Sequence, residues 1–161
     1  EFDRPFKFTG CFCCRPVMVG SLRGDENKKG NKEQKGKAMG KVVEEFSCGS
    51  KIFIYDNKGK IRWKICADYC QCGFWARNIS IGKCYEVDFW IYDGESDINN
   101  SKPDGNIHKV FKGLSELTAD SDAFILTFPK NSNAIERIML IGSVIMIDYR
   151  YYEDLACLDC I

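Results

Sequence analysis

The chain has 161 residues, 23 basic against 23 acidic side chains, 10 cysteines and one histidine. The length suits one domain, and the balanced charge excludes an overall field that would draw the chain to nucleic acid or to an anionic membrane. A single histidine, with no glycine-rich phosphate loop, argues against an ordinary enzyme.

No stretch is apolar over the roughly 20 residues that a spanning helix needs. The start, Glu1-Phe2-Asp3-Arg4, has neither the basic region nor the apolar core of a signal peptide. It also lacks an initiating Met, which reads as a processed, truncated or partial chain. Without a secretory signal, the cysteines are expected to be reduced and the protein intracellular. Neighbours such as Cys13 and Cys14 do not easily bond each other, because disulfide geometry is demanding.

Residues 1–20 carry Arg4-Pro5 and the cluster Cys11, Cys13 and Cys14, after which Arg15-Pro16 reads as a turn entering a short strand. Residues 21–40 read as a basic, disordered insertion loop, since Arg23 to Lys37 contains no apolar residue and can bury nothing. Lys51 to Tyr55 is a strand, and Asp56-Asn57-Lys58-Gly59 a turn whose glycine can take positive φ. Lys60 to Ile65 alternates basic and apolar, which predicts Ile61, Trp63 and Ile65 facing inward and Lys60, Arg62 and Lys64 in a row outside.

Cys66 to Gly73 is a cysteine-rich turn, and Phe74 to Ile81 a strand candidate. Tyr85 to Tyr92 alternates so that Tyr85, Val87, Phe89 and Ile91 share a face. Residues 95–106 form a turn-rich surface loop. Ile107 to Lys112 is a short strand, and Asp122 to Pro129 another, stopped by its proline.

Between Arg137 and Asp148 there is no charge, and only Ser143 is polar. A helix apolar on every side must be surrounded by protein, with Asn131, Ser132 and Asn133 as candidate N-caps. A fully buried strand is the alternative, because Val144, Ile145 and Ile147 are β-branched. On the helix reading, Ile138, Leu140, Ile141, Val144, Ile145 and Ile147 form the core. Tyr149 to Glu153 follows the run, and the tail from Leu155 to Ile161 reads as loosely held. Closely spaced strands around one such helix predict a mainly β antiparallel barrel enclosing it, which also removes exposed sheet edges.

Three segments carry a resemblance to a family. They are Arg4-Pro5 with Cys11-Phe12-Cys13-Cys14-Arg15-Pro16; the hairpin from Ile52 into Cys70-Gln71-Cys72-Gly73; and Gly105-Asn106-Ile107-His108-Lys109-Val110-Phe111-Lys112-Gly113 with Asp120 to Phe124, Phe128-Pro129, Met139 to Gly142, Ile147-Asp148-Tyr149 and Glu153. In these the chain resembles the phospholipid scramblases of the Tubby-like superfamily. The resemblance implies a twelve-stranded antiparallel barrel around a central C-terminal helix, in membrane-associated proteins linked to calcium-dependent, ATP-independent lipid movement between leaflets. The family's domain has several strands before its cysteine cluster. The resemblance therefore reads residues 1–161 as a single domain lacking its N-terminal strands, with an open edge that another segment or chain would close.

The resemblance also implies S-acylation of Cys11, Cys13 and Cys14; stable anchoring takes more than one chain. Small buried residues in a turn are the rival reading. It implies calcium near Asp120, Asp122 and Asn131, but a full loop wants Gly at its sixth place and a bidentate carboxylate at its twelfth. Here those places hold Ile125 and Asn131. Zinc finds Cys66, Cys70, Cys72 and Cys84 without paired Cys-x2-Cys knuckles, and Cys157-x2-Cys160 alone. In the family the region around His108 can carry a nuclear-import signal; here only Lys109 and Lys112 remain.

The expectation is a membrane-peripheral protein without reaction chemistry. Its partner would be membrane phospholipid, through scrambling or tethering that calcium could govern. The alternative is a scaffold subunit of a larger, for example organellar, assembly whose other chains complete the barrel. Plasma and mitochondrial membranes fit equally. Nucleic-acid binding would need a coherent basic face, and Lys60, Arg62 and Lys64 are its only trace.

Overall fold

The computed structural model describes residues 2–3, 17–22, 37–45, 50–68, 71, 86–110 and 123–152. Among these, eight strands precede one helix. The strands are β1 (Phe2–Asp3), β2 (Val17–Leu22), β3 (Lys37–Glu45), β4 (Ser50–Asp56), β5 (Ile61–Ala67), β6 (Val87–Asp93), β7 (Gly105–Val110) and β8 (Ala123–Thr127). The helix, α1, runs from Ala134 to Tyr151.

Each strand pairs antiparallel with its sequence neighbour, so the sheet order is the chain order. The sheet curls into a half-barrel with α1 in its hollow, consistent with a partial Tubby-like barrel. β1 and β8 are its two edges.

The alternation expected of β6 is present: Val87, Phe89 and Ile91 are fully buried. β8 ends before Pro129, and the β4–β5 turn places Gly59 at φ 82°, where a β-carbon would be strained.

Two elements differ from expectation because β-bulges interrupt the period of two. β3 begins at Lys37 and β2 runs to Leu22, so the stretch 21–40 is strand at both ends; residues 23–36 lie outside the described residues. In β3 the register slips between the Gly20–Gly40 and Ser21–Ala38 pairs. The inward set is thus Val42 and then Met39, an odd spacing no alternation test detects. In β5 the slip lies between the Ile54–Trp63 and Tyr55–Ile61 pairs, leaving Arg62 as the extra residue. A bulge re-aims the side chain it carries. Ile61 becomes half-buried instead of inward, and Arg62 turns from the expected outer row to the helix.

Asn133 caps α1. Its Oδ1 accepts from Glu136 N at 2.9 Å, and Glu136 Oε2 accepts from Asn133 N at 3.1 Å, a reciprocal capping box. The helix continues through Tyr149 and Tyr151. Near its end the Tyr151 hydroxyl donates to the Glu44 carboxylate and lies 2.9 Å from Ser50 Oγ, tying α1 to β3 and β4.

The apolar run is sheathed on one side only. Leu140 and Ile147 are fully buried, Met139 and Met146 nearly so, and Val144 is half-buried. Ile138, Ile141 and Ile145, expected in the core, are 37%, 46% and 41% exposed, as is Ile135 at 44%. The reason is the open sheet: α1 packs on β2, β3, β4 and β8, and no described strand covers its outer face.

Candidate functional site

On a helix of 3.6 residues per turn, positions 138, 141 and 145 fall within about 60° of one another, with Ile135 flanking them. Four exposed isoleucines thus make one apolar row, about 15 Å from end to end at 1.5 Å per residue. Contiguous exposed apolar surface of this kind marks binding sites more often than scattered residues do. No described helix is long and apolar enough to cross a membrane.

At the N-terminal end of α1 the row runs into a cleft of about 440 Å³. Ile54, Met39, Met139 and Ile135 give it apolar walls, while Asp56, Lys60, Arg62 and Glu136 bring charge. The bulge in β5 makes the central contact: Arg62 Nε donates to Glu136 Oε1 at 2.9 Å. Glu136 is buried, and the bond to it pushes Arg62 further above its ordinary pKa. Lys60 Nζ meets Glu95 Oε1 at 2.6 Å in solvent. That contact raises the pKa of Lys60 and lowers that of Glu95.

The Asp56 carboxylate accepts from Lys60 N at 2.9 Å and Lys58 N at 2.8 Å. The Lys60 bond, above all, holds its pKa below the ordinary carboxylate value. A carboxylate with a lowered folded pKa stabilises the fold fully above its unfolded pKa and ceases to do so as pH falls through the folded value. The β4–β5 turn is therefore expected to loosen below the usual carboxylate range. Asp56→Ala should flatten the fall in stability between neutral pH and about pH 2, read from denaturant midpoints. An unchanged profile would count against the turn's role.

The basic row read from alternation does not stand free among the described residues. Lys60 and Arg62 are paired as described, and Lys64 Nζ donates to the Ser96 carbonyl at 2.9 Å. Lys109 is buried, its ammonium 3.6 Å from the Tyr152 ring centroid, so it cannot serve an exposed import signal. His108 lies in β7, as expected, with Nδ1 2.8 Å from Asp88 Oδ1. Burial pushes the Cys66 thiol up in pKa, which lowers its reactivity.

Cys11, Cys13 and Cys14 lie outside the described residues, as do Asp120, Asp122, Cys70, Cys72, Cys84, Cys157 and Cys160 and the strand candidate at 74–81. Asn131 is exposed in the turn before α1. Among the described residues, no group of three His, Cys, Asp or Glu side chains could hold a metal ion.

The exposed row and the cleft were both missed in the sequence. A run apolar on all sides gives no sign of which isoleucines lack a wall, and the Arg62–Glu136 contact spans 74 residues across a bulge.

Compared with known proteins, residues 1–154 match the family model Scramblase. The chain belongs to the scramblase family. No curated protein and no solved structure matches it significantly. The scramblase match covers every described element, including the open half-barrel and the isoleucine row.

Proposed function

We propose that this scramblase-family chain works at a membrane surface by binding phospholipid, without covalent chemistry. The isoleucine row of α1 is the observation that carries this reading: it is apolar, continuous and uncovered in a chain of a family whose name is scramblase. Acyl chains on Cys11, Cys13 and Cys14 would add the affinity that one exposed helix face supplies only weakly.

The test uses the full chain in cells and then with vesicles. Hydroxylamine-sensitive acyl label should be present, and a Cys11→Ser/Cys13→Ser/Cys14→Ser variant should lose the label and shift out of the membrane fraction. Purified protein should float with phospholipid vesicles. Lipid movement between leaflets, measured with and without a calcium chelator, separates scrambling from tethering. A chain that carries no acyl label and floats with no vesicle would end this reading.

A second reading, a scaffold subunit, is favoured by β8, an edge strand among the described residues, where Ile125 is 57% exposed. Such an edge is a ready template for another strand. Stoichiometric co-purification with another chain that protects β8 amides from exchange would support it. Unprotected β8 amides would remove it.

A further inference from the structure

The charges that line the cleft cancel. Lys60 and Arg62 supply two cations, Asp56 and Glu136 two carboxylates. A purely anionic ligand would meet both carboxylates, and a purely cationic one both bases; either mismatch disfavours binding. A ligand with both signs a few ångströms apart meets neither penalty.

Arginine has five N–H donors, and the bond to Glu136 uses Nε. Lys60 is held only by a solvent-exposed contact, of the kind worth little. Both bases can therefore take a phosphate oxygen without dismantling the fold. Asp56, on the other side of the turn, is exposed to a cation and is held ionised by its two backbone donors. Ile135 belongs both to the cleft and to the exposed row, so a polar group in the cleft is continuous with about 15 Å of apolar helix face. The cleft volume is in the range of small-ligand sites, roughly 300–1,000 Å³.

We propose that the cleft and the row together hold one zwitterionic glycerophospholipid. Its phosphodiester meets Lys60 and Arg62, its ammonium group meets Asp56, and one acyl chain lies along Ile135, Ile138 and Ile141. The proposal rests on the phospholipid-binding reading above and adds the headgroup class and the residues that hold it.

The experiment is flotation of the full chain with vesicles of pure phosphatidylcholine and, separately, of pure phosphatidylglycerol, at low and high salt. Partitioning onto phosphatidylcholine should be at least about tenfold the stronger and change little with salt, since paired opposite charges leave no net attraction to screen. Ile138→Ser/Ile141→Ser, which alters exposed positions only, should lower it about tenfold or more with an unchanged melting temperature. Lys60→Glu should lower it severalfold. Soluble glycerophosphocholine should compete poorly, because it lacks the chain.

If the protein floats but the serine and Lys60 variants float equally well, this site falls and the phospholipid-binding reading stands. Preference for phosphatidylglycerol that disappears in salt would also overturn it, in favour of diffuse surface charge. Flotation with neither vesicle removes this site, and together with the absence of acyl label in cells it removes the phospholipid-binding reading as well.

Discussion

Leu140→Ala should cost about 2–5 kcal/mol of folding stability, whereas Ile141→Ala, one residue along the same helix, should cost within about 0.5 kcal/mol. The two side chains are isomers and lose the same number of carbons. They differ in surroundings: Leu140 is fully buried between the helix and the sheet, and Ile141 is 46% exposed. Truncating Leu140 removes apolar surface already withdrawn from water and leaves a cavity in close-packed surroundings. Truncating Ile141 removes a side chain that water already reaches over nearly half its surface, and it leaves no enclosed cavity. Urea unfolding of both variants, with midpoint and slope compared, reads the difference directly. Equal losses would mean that α1 is covered on all sides, and the isoleucine row would cease to be a surface.

Glu136→Ala should destabilise the fold by about 3 kcal/mol, from two separable contributions. Loss of the capping box with Asn133 accounts for about 1 kcal/mol. Removing the partner of Arg62 accounts for about 2 kcal/mol. That is less than the 3–5 kcal/mol of a wholly buried pair, because the Arg62 side chain is 36% exposed. Glu136→Gln preserves a side chain that can cap and removes only the charge, so it should recover about the first contribution. Asn133→Ala should remove about 1 kcal/mol and leave the ion pair. If Glu136→Ala and Asn133→Ala cost the same, the contact with Arg62 is marginal.

Both predictions involve residues that the primary structure singled out only in part. Asn133 was one of three candidate caps, and Glu136 three residues later completes a recognisable helix start. Arg62 was assigned to an outer row by strict alternation, and the bulge opposite Ile54 and Tyr55 reversed that. A bulge is set by strand pairing, and pairing partners are not encoded in the period of one strand. Met39 escaped for the same reason: it lies within the stretch 21–40 that was read as an insertion loop, and its odd spacing from Val42 shows no period of two.

Local order was legible wherever side-chain chemistry repeats at the period of the backbone. Val87, Phe89 and Ile91 specified β6; the turn with Gly59 specified the β4–β5 hairpin; Pro129 stopped β8; and the uncharged run with its polar cap specified α1. Those features depend on neighbours in the chain, so composition and spacing determine them. Which side of α1 meets protein depends on how many strands surround it and where the sheet stops. The isoleucines at 138, 141 and 145 are chemically equivalent to their buried neighbour at 147; only the curl and extent of the β1–β8 sheet put Ile147 inside and the other three outside.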